Sequence, residues 1–233
     1  MPREFEIRKE IPLDATPEQV WEAIATGPGL AAWFMPMEIG PDGATVWDPP
    51  EHLAVRTPEA EDGTTQAFEY LIEARDGGST VLRFVHSGFL GDGWDAEYEG
   101  MTSHGWDMYL HTLAEYLTYF PGRSATYVEA EGPPASAEAG AWPVILEGLR
   151  PAGPVAQGDQ VRLTPHGLPP IEGVADYVGP DFLGVRTGNA LIRFHGRSGL
   201  GMPVAVAQHV YSGDVDGKQI ERTWRSWLDG LFT

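Results

Sequence analysis

Seven apolar residues near the middle of the chain, Trp106, Tyr109, Leu110, Leu113, Tyr116, Leu117 and Phe120, recur at i, i+3, i+4, i+7, i+10, i+11 and i+14. That spacing falls on one face of an α-helix, so residues 96–120 are predicted to form a single long amphipathic helix. Such a stripe is stable only against a surface that covers it. Most of the preceding chain alternates apolar and polar residues with period two, as antiparallel strands with one wet face do, so the covering surface is the inner side of a sheet. Gly105 stands beside Trp106 inside the helix. A glycine there costs about 1 kcal/mol relative to alanine, and a close approach of helix to sheet is the expected compensation.

The elements ahead of this helix follow from local signals. Phe5, Ile7 and Ile11 alternate with Glu4, Glu6, Arg8 and Glu10, which marks a half-buried strand. Thr16-Pro17-Glu18-Gln19 supplies an N-cap, a proline at the first helical position and a capping-box glutamine. A helix starts there with Val20, Trp21 and Ile24 inward, Gly27-Pro28-Gly29 stops it, and a second short helix is expected over 30–34. Strands are expected over 44–48, 53–57, 65–75 and 79–86, separated by Pro49-Pro50, Glu61-Asp62-Gly63 and Asp76-Gly77-Gly78. The resulting order, βααββββα, is that of a sheet gripping one long helix, an α+β helix-grip fold.

Composition excludes several function classes. The 233 residues include no cysteine, which rules out a disulfide frame, a thiolate metal site and a cysteine nucleophile. The net charge of -19 argues against nucleic acid or an anionic membrane as a partner, because phosphate binding needs clustered lysine and arginine. No stretch approaches the roughly 18 apolar residues of a membrane span, and the opening MPREFEIRKE has no apolar leader, so a cytoplasmic protein is expected. The acid is unevenly spread: residues 1–121 hold 22 acidic and 6 basic side chains, the remainder 12 and 9. That step suggests two units, 1–121 and 125–233, with a linker over 121–124.

The first unit resembles a known family. The carriers are ATPEQVWEAI at the first helix, Ala32-Trp33-Phe34, Pro49-Pro50 before Leu53, the strand ending His86-Ser87-Gly88-Phe89, and Gly105-Trp106 followed by Leu110, Leu113 and Leu117. Together, over residues 3–121, they resemble the activator of heat-shock-protein-ninety ATPase (Aha-type) family of the helix-grip, SRPBCC or START-like superfamily. The resemblance implies an antiparallel sheet wrapped round a C-terminal helix with an apolar cavity between them. Eukaryotic members of that family are co-chaperones. No separate N-terminal co-chaperone domain is visible here, so heat-shock-protein activation is not the leading expectation.

The second half echoes the first. Pro50-Glu51-His52-Leu53-Ala54-Val55-Arg56-Thr57 matches Pro180-Asp181-Phe182-Leu183-Gly184-Val185-Arg186-Thr187 at five of eight positions. Trp224, Leu228 and Leu231 repeat the spacing of Trp106, Leu110 and Leu113, and Trp142 echoes Trp21, in the same order along the chain. Strands are expected over 125–131, 160–164, 171–178, 189–195 and 204–211, with a helix over 215–232. Residues 125–233 are therefore expected to be a diverged, shortened helix-grip unit whose prolines, Pro143 among them, reduce the front helices.

The chemistry-bearing residues cluster on the first unit. A cavity is expected with Met101, His104, Trp106 and Tyr109 above, Phe68, Tyr70, Phe84 and His86 below, and Trp33, Met35, Phe89 and Trp94 at its mouth. His86 and His104 have the chemistry of a general acid or base, but no serine, aspartate or second histidine is placed beside either, so structural histidines are expected. Asp107 and His111, four residues apart, have metal-ligand spacing and are read as a solvated pair. No metal or cofactor is expected, and no hydrolase, zinc-protease, P-loop or dinucleotide motif is present. The leading expectation is non-enzymatic binding of a small apolar or aromatic molecule, neutral or cationic because Arg83 points outward. The alternatives are an enzyme of the polyketide cyclase/aromatase kind, enolising a carbonyl through His86, Tyr70 or Arg83, and a co-chaperone-like module meeting a protein partner through its acidic first unit.

Overall fold

The alternation at the start of the chain becomes an 11-residue strand, β1 (Arg3–Leu13), in a computed structural model that describes residues 3–91 and 98–233. Phe5, Ile7 and Leu13 are buried on its inner side while Glu4, Glu6, Arg8 and Glu10 face out. Helix α1 (Pro17–Ala25) opens on the expected capping box: the Thr16 hydroxyl accepts from the Gln19 N–H, and Gln19 Oε1 accepts from the Thr16 N–H at 2.9 Å. The second helix, α2 (Gly27–Ala31), begins earlier than the expected 30–34. Thr26 is an N-cap, accepting from the Gly29 N–H at 3.0 Å, and Pro28 lies in the first turn, where its missing N–H costs nothing. Gly27-Pro28-Gly29 therefore starts a helix as well as following one.

Strands β2 (Ala44–Asp48), β3 (His52–Arg56), β4 (Thr65–Arg75) and β5 (Ser79–Leu90) follow, in an antiparallel sheet of order β1-β5-β4-β3-β2. The first strand thus pairs with the last, Ile7 opposite His86 and Ile11 opposite Leu82. Helix α3 (Tyr98–Tyr119) lies on the inner face of this sheet, burying Trp106, Leu110, Leu113, Tyr116 and Leu117. Lys9, on the inner side of β1, holds Asp107 of α3 in an ion pair at 2.6 Å. Asp107 is thus engaged by a strand and not by His111, which lies 3.8 Å from Glu115.

Gly105 does not mediate a close approach. Among the described residues, a Cβ built there would meet nothing within 4 Å. At about 100° per residue it is rotated off the Trp106 stripe, so the cost of glycine is uncompensated. Gly105→Ala is expected to raise stability by about 1 kcal/mol, read as a higher urea midpoint at unchanged slope; a lower midpoint would restore the close-approach reading.

The chain divides into compact units Met1–Ser124 and Ala125–Thr233. The second holds β6 (Thr126–Glu131), α4 (Ala141–Leu149), β7 (Gln160–Leu163), β8 (Ile171–Gly179), β9 (Phe182–Arg186), β10 (Ala190–His195), β11 (Ala205–Val210) and α5 (Gly217–Leu231). Its sheet order is β6-β11-β10-β9-β8-β7, again with the first strand beside the last and the others descending from it. One front helix stands where the first unit has two, and Pro143 sits in its first turn. Trp142, Ile145 and Leu149 of α4 and Trp224, Trp227 and Leu228 of α5 share a core with Leu183, Val185, Ile192, Phe194 and Val206 of the sheet. No helix among the described residues is long and apolar enough to cross a membrane.

Candidate functional site

In the first unit β4 and β5 present alternate side chains to α3, and Phe68, Tyr70, Phe84, His86, Trp106 and Tyr109 come together there. The rings pack against one another: Trp106 lies 4.2 Å from Phe84, 5.8 Å from Tyr109, 5.9 Å from His86 and 6.0 Å from Phe68, centroid to centroid. Phe34 of the α2 end joins them, stacked on Trp106 at 5.6 Å and edge-on to Tyr109 at 4.7 Å. Both nitrogens of His86 are engaged. Its Nδ1 accepts from the Trp106 indole N–H at 3.0 Å, so the proton resides on Nε2, which faces Gln66 Oε1 at 3.2 Å. Burial pushes His86 down to about 4, and a proton on Nδ1 would also set two N–H groups against each other. Burial likewise raises the Tyr70 hydroxyl above its ordinary range.

The other expected site residues lie elsewhere. His104 is exposed, about 200° round the helix from Trp106. Trp33 is fully buried and donates its indole N–H to the Ala23 carbonyl at 2.9 Å, so it joins α1 to α2 and lines no mouth. Met35 and Phe89 are 38% and 46% exposed, and Met101 is half-buried. Trp94 falls outside the described residues. Arg83 is on the outer face as expected, held between Glu10 and Glu73.

The second unit carries a site that the sequence reading missed. Ile220, Trp224, Trp227, Leu228 and Leu231 turn α5 onto its sheet, and the Trp224 indole N–H donates to Gln208 Oε1 of β11 at 2.8 Å. This repeats the bond from Trp106 to His86: terminal helix to last strand, indole to an inward polar side chain. Beside Trp224 an open cleft of about 560 Å³ is walled by Pro170 and Ile171, by Ala190 and Ile192 of β10, and by Gln208, Ile220 and Thr223. A second cleft, of about 540 Å³, runs further along α5 past His166, Leu168, Arg222, Ser226 and Trp227. One legible signal was Gln208 itself, a polar residue between Val206 and Val210 at an inward position.

The face of this sheet turned away from α4 and α5 holds a buried charge pair. Arg193, 1% exposed, meets Asp176 with two nitrogens, Nη1 to Oδ1 at 3.0 Å and Nη2 to Oδ2 at 2.8 Å. The guanidinium crosses β9 at Gly184, where an added Cβ would stand 2.6 Å from Nη1. His195 and His209 are buried on the same face. Burial, and then the charges of Arg197, Arg193 and His209, hold His195 down to about 3.

Residues 14–118 match the family model described as activator of Hsp90 ATPase homolog 1-like protein. None of the curated proteins matches the chain. Among solved structures, a Mesorhizobium loti protein is 18% identical over 50% of this chain and 98% of its own, with a TM-score of 0.41. The Aha1 dimer from Colwellia psychrerythraea is 20% identical over 48% of this chain and 96% of its own, with a TM-score of 0.39. DynU16, from the dynemicin biosynthetic locus, is 16% identical over 97% of this chain and 96% of its own, with a TM-score of 0.40.

Proposed function

We propose, from the match of residues 14–118 to the activator of Hsp90 ATPase homolog 1-like family model, that the chain binds a small apolar or aromatic molecule without transforming it. The second unit is read as a diverged copy of the first, supported by the shared strand order and by the paired bonds Trp106 to His86 and Trp224 to Gln208. The observation that carries the proposal is the cleft beside Trp224, of about 560 Å³, which is within the range of small-molecule sites. The corresponding space in the first unit is crossed by ring-to-ring contacts, so the ligand is assigned to the second. The enolising alternative has less support: Arg83 faces away, and His86 is committed to Trp106 and Gln66. Docking of a basic protein through the acidic first unit remains the second reading, favoured by its 22 acidic against 6 basic residues over 1–121.

The test is titration with N-phenyl-1-naphthylamine, a neutral aromatic dye that brightens in apolar sites. Saturable binding is expected, weakened at least about tenfold in Thr223→Trp, which fills the cleft while leaving the first unit intact. A parent that binds no dye, or a Thr223→Trp variant that binds it equally well, would overturn the proposal.

A further inference from the structure

The cleft beside Trp224 continues along α5. It shares Leu168, Gln219 and Thr223 with the second cleft, so the two adjoin along that helix and are taken together as one groove. Their chemistries differ. The first end is built from Pro170, Ile171, Ala190, Ile192 and the Trp224 ring, with Glu172, itself paired with Arg162 at 3.4 Å, on its polar side, whereas the second adds Arg222, His166 and Ser226.

Arg222 differs from four other arginines of its unit. Arg162, Arg193, Arg197 and Arg225 lie 3.4, 2.8, 2.5 and 2.7 Å from a carboxylate. Arg222 instead donates to the neutral amide oxygen of Gln219 at 2.9 Å, and its acidic neighbour Asp216 stands 3.9 Å away with both side chains largely exposed. An exposed pair at that distance holds a guanidinium weakly. Arginine has five N–H donors in a planar fork that fits a carboxylate with two parallel hydrogen bonds. Ser226, one turn further on, adds a hydroxyl to the same wall. The surrounding charge permits an anion here: residues 122–233 hold 12 acidic and 9 basic side chains, unlike the strongly acidic first unit.

We propose that the groove takes a ligand with a flat apolar body and one carboxylate, the body lying against Trp224 and Ile192 and the carboxylate meeting Arg222. The proposal rests on the apolar-binding reading above and adds the acid group to it. It also reverses, for the second unit, the preference for neutral or cationic ligands that the acidity of the first unit predicts.

The experiment compares two probes of one shape, 2-naphthoate and 2-naphthamide, each displacing N-phenyl-1-naphthylamine from the full chain. The acid is expected to bind about tenfold more tightly at low salt, with the margin shrinking as salt is added. Arg222→Gln should abolish the margin by weakening the acid and leaving the amide unchanged, while Arg222→Lys keeps part of it. Equal affinities in the parent, or a margin that survives Arg222→Gln, would overturn the carboxylate assignment and leave apolar binding standing. Failure of both probes and of the dye to bind would overturn the two readings together.

Discussion

Asp176→Ala is expected to destabilise the second unit by about 3–5 kcal/mol, the usual consequence of stripping one partner from a buried ion pair. The loss comes chiefly from Arg193, whose guanidinium is 1% exposed. With its carboxylate gone, a guanidinium that made two short contacts lies in the interior without the countercharge that faced it. The double variant Asp176→Leu with Arg193→Met removes both charges at similar volume and should recover most of the loss, because an apolar pair of equal size often matches a buried ion pair. Urea unfolding of parent, single and double variants provides the measurement. A single variant within about 1 kcal/mol of the parent would show that the pair contributes as little as an exposed one.

Acidification is expected to have an effect of comparable size. His86 and His195 are held at about 4 and about 3 in the folded chain, against an ordinary value near 6.5. From pH 6.5 down to 4 the unfolded state binds a proton at each site that the folded state refuses. Stability therefore rises with pH across this window and is lost as pH falls. By pH 4 each site costs on the order of 3 kcal/mol, at about 1.4 kcal/mol per decade, and His195 continues to cost below that. The window between pH 6.5 and 5 separates this from most carboxylate titration. There, His86→Gln should flatten the dependence of urea stability on pH by about one proton while keeping an acceptor for the Trp106 N–H. An unchanged slope in that variant would mean that His86 already takes up its proton in the folded protein.

Patterns that depend on neighbours along the chain were legible. The stripe of α3, the alternation of β1, β4 and β5 and the capping box at Thr16 all appear where periodicity and local hydrogen bonding require them. The second-unit strands were legible for the same reason. Gly105 and His104 were misplaced because helix rotation settles them: each neighbours the stripe in sequence but is turned from Trp106 by about 100° per residue. The cleft beside Trp224 depends on Leu168 to Pro170 lying close to a helix that starts at Gly217. No periodicity joins segments that far apart. Arg193 was obscured by the opposite effect, since alternation assigns it to the polar side of β10, and a polar side normally reads as wet.

The two matching octets differ, on the sheet face turned away from the helices, at Ala54 in the first and Gly184 in the second. The methyl group of the former has no room in the latter, where it would press on the guanidinium of Arg193. Substitution at positions 176, 184 and 193 is therefore coupled: alanine at 184 fits only beside a side chain shorter than arginine at 193, and arginine at 193 stays buried only opposite a carboxylate at 176.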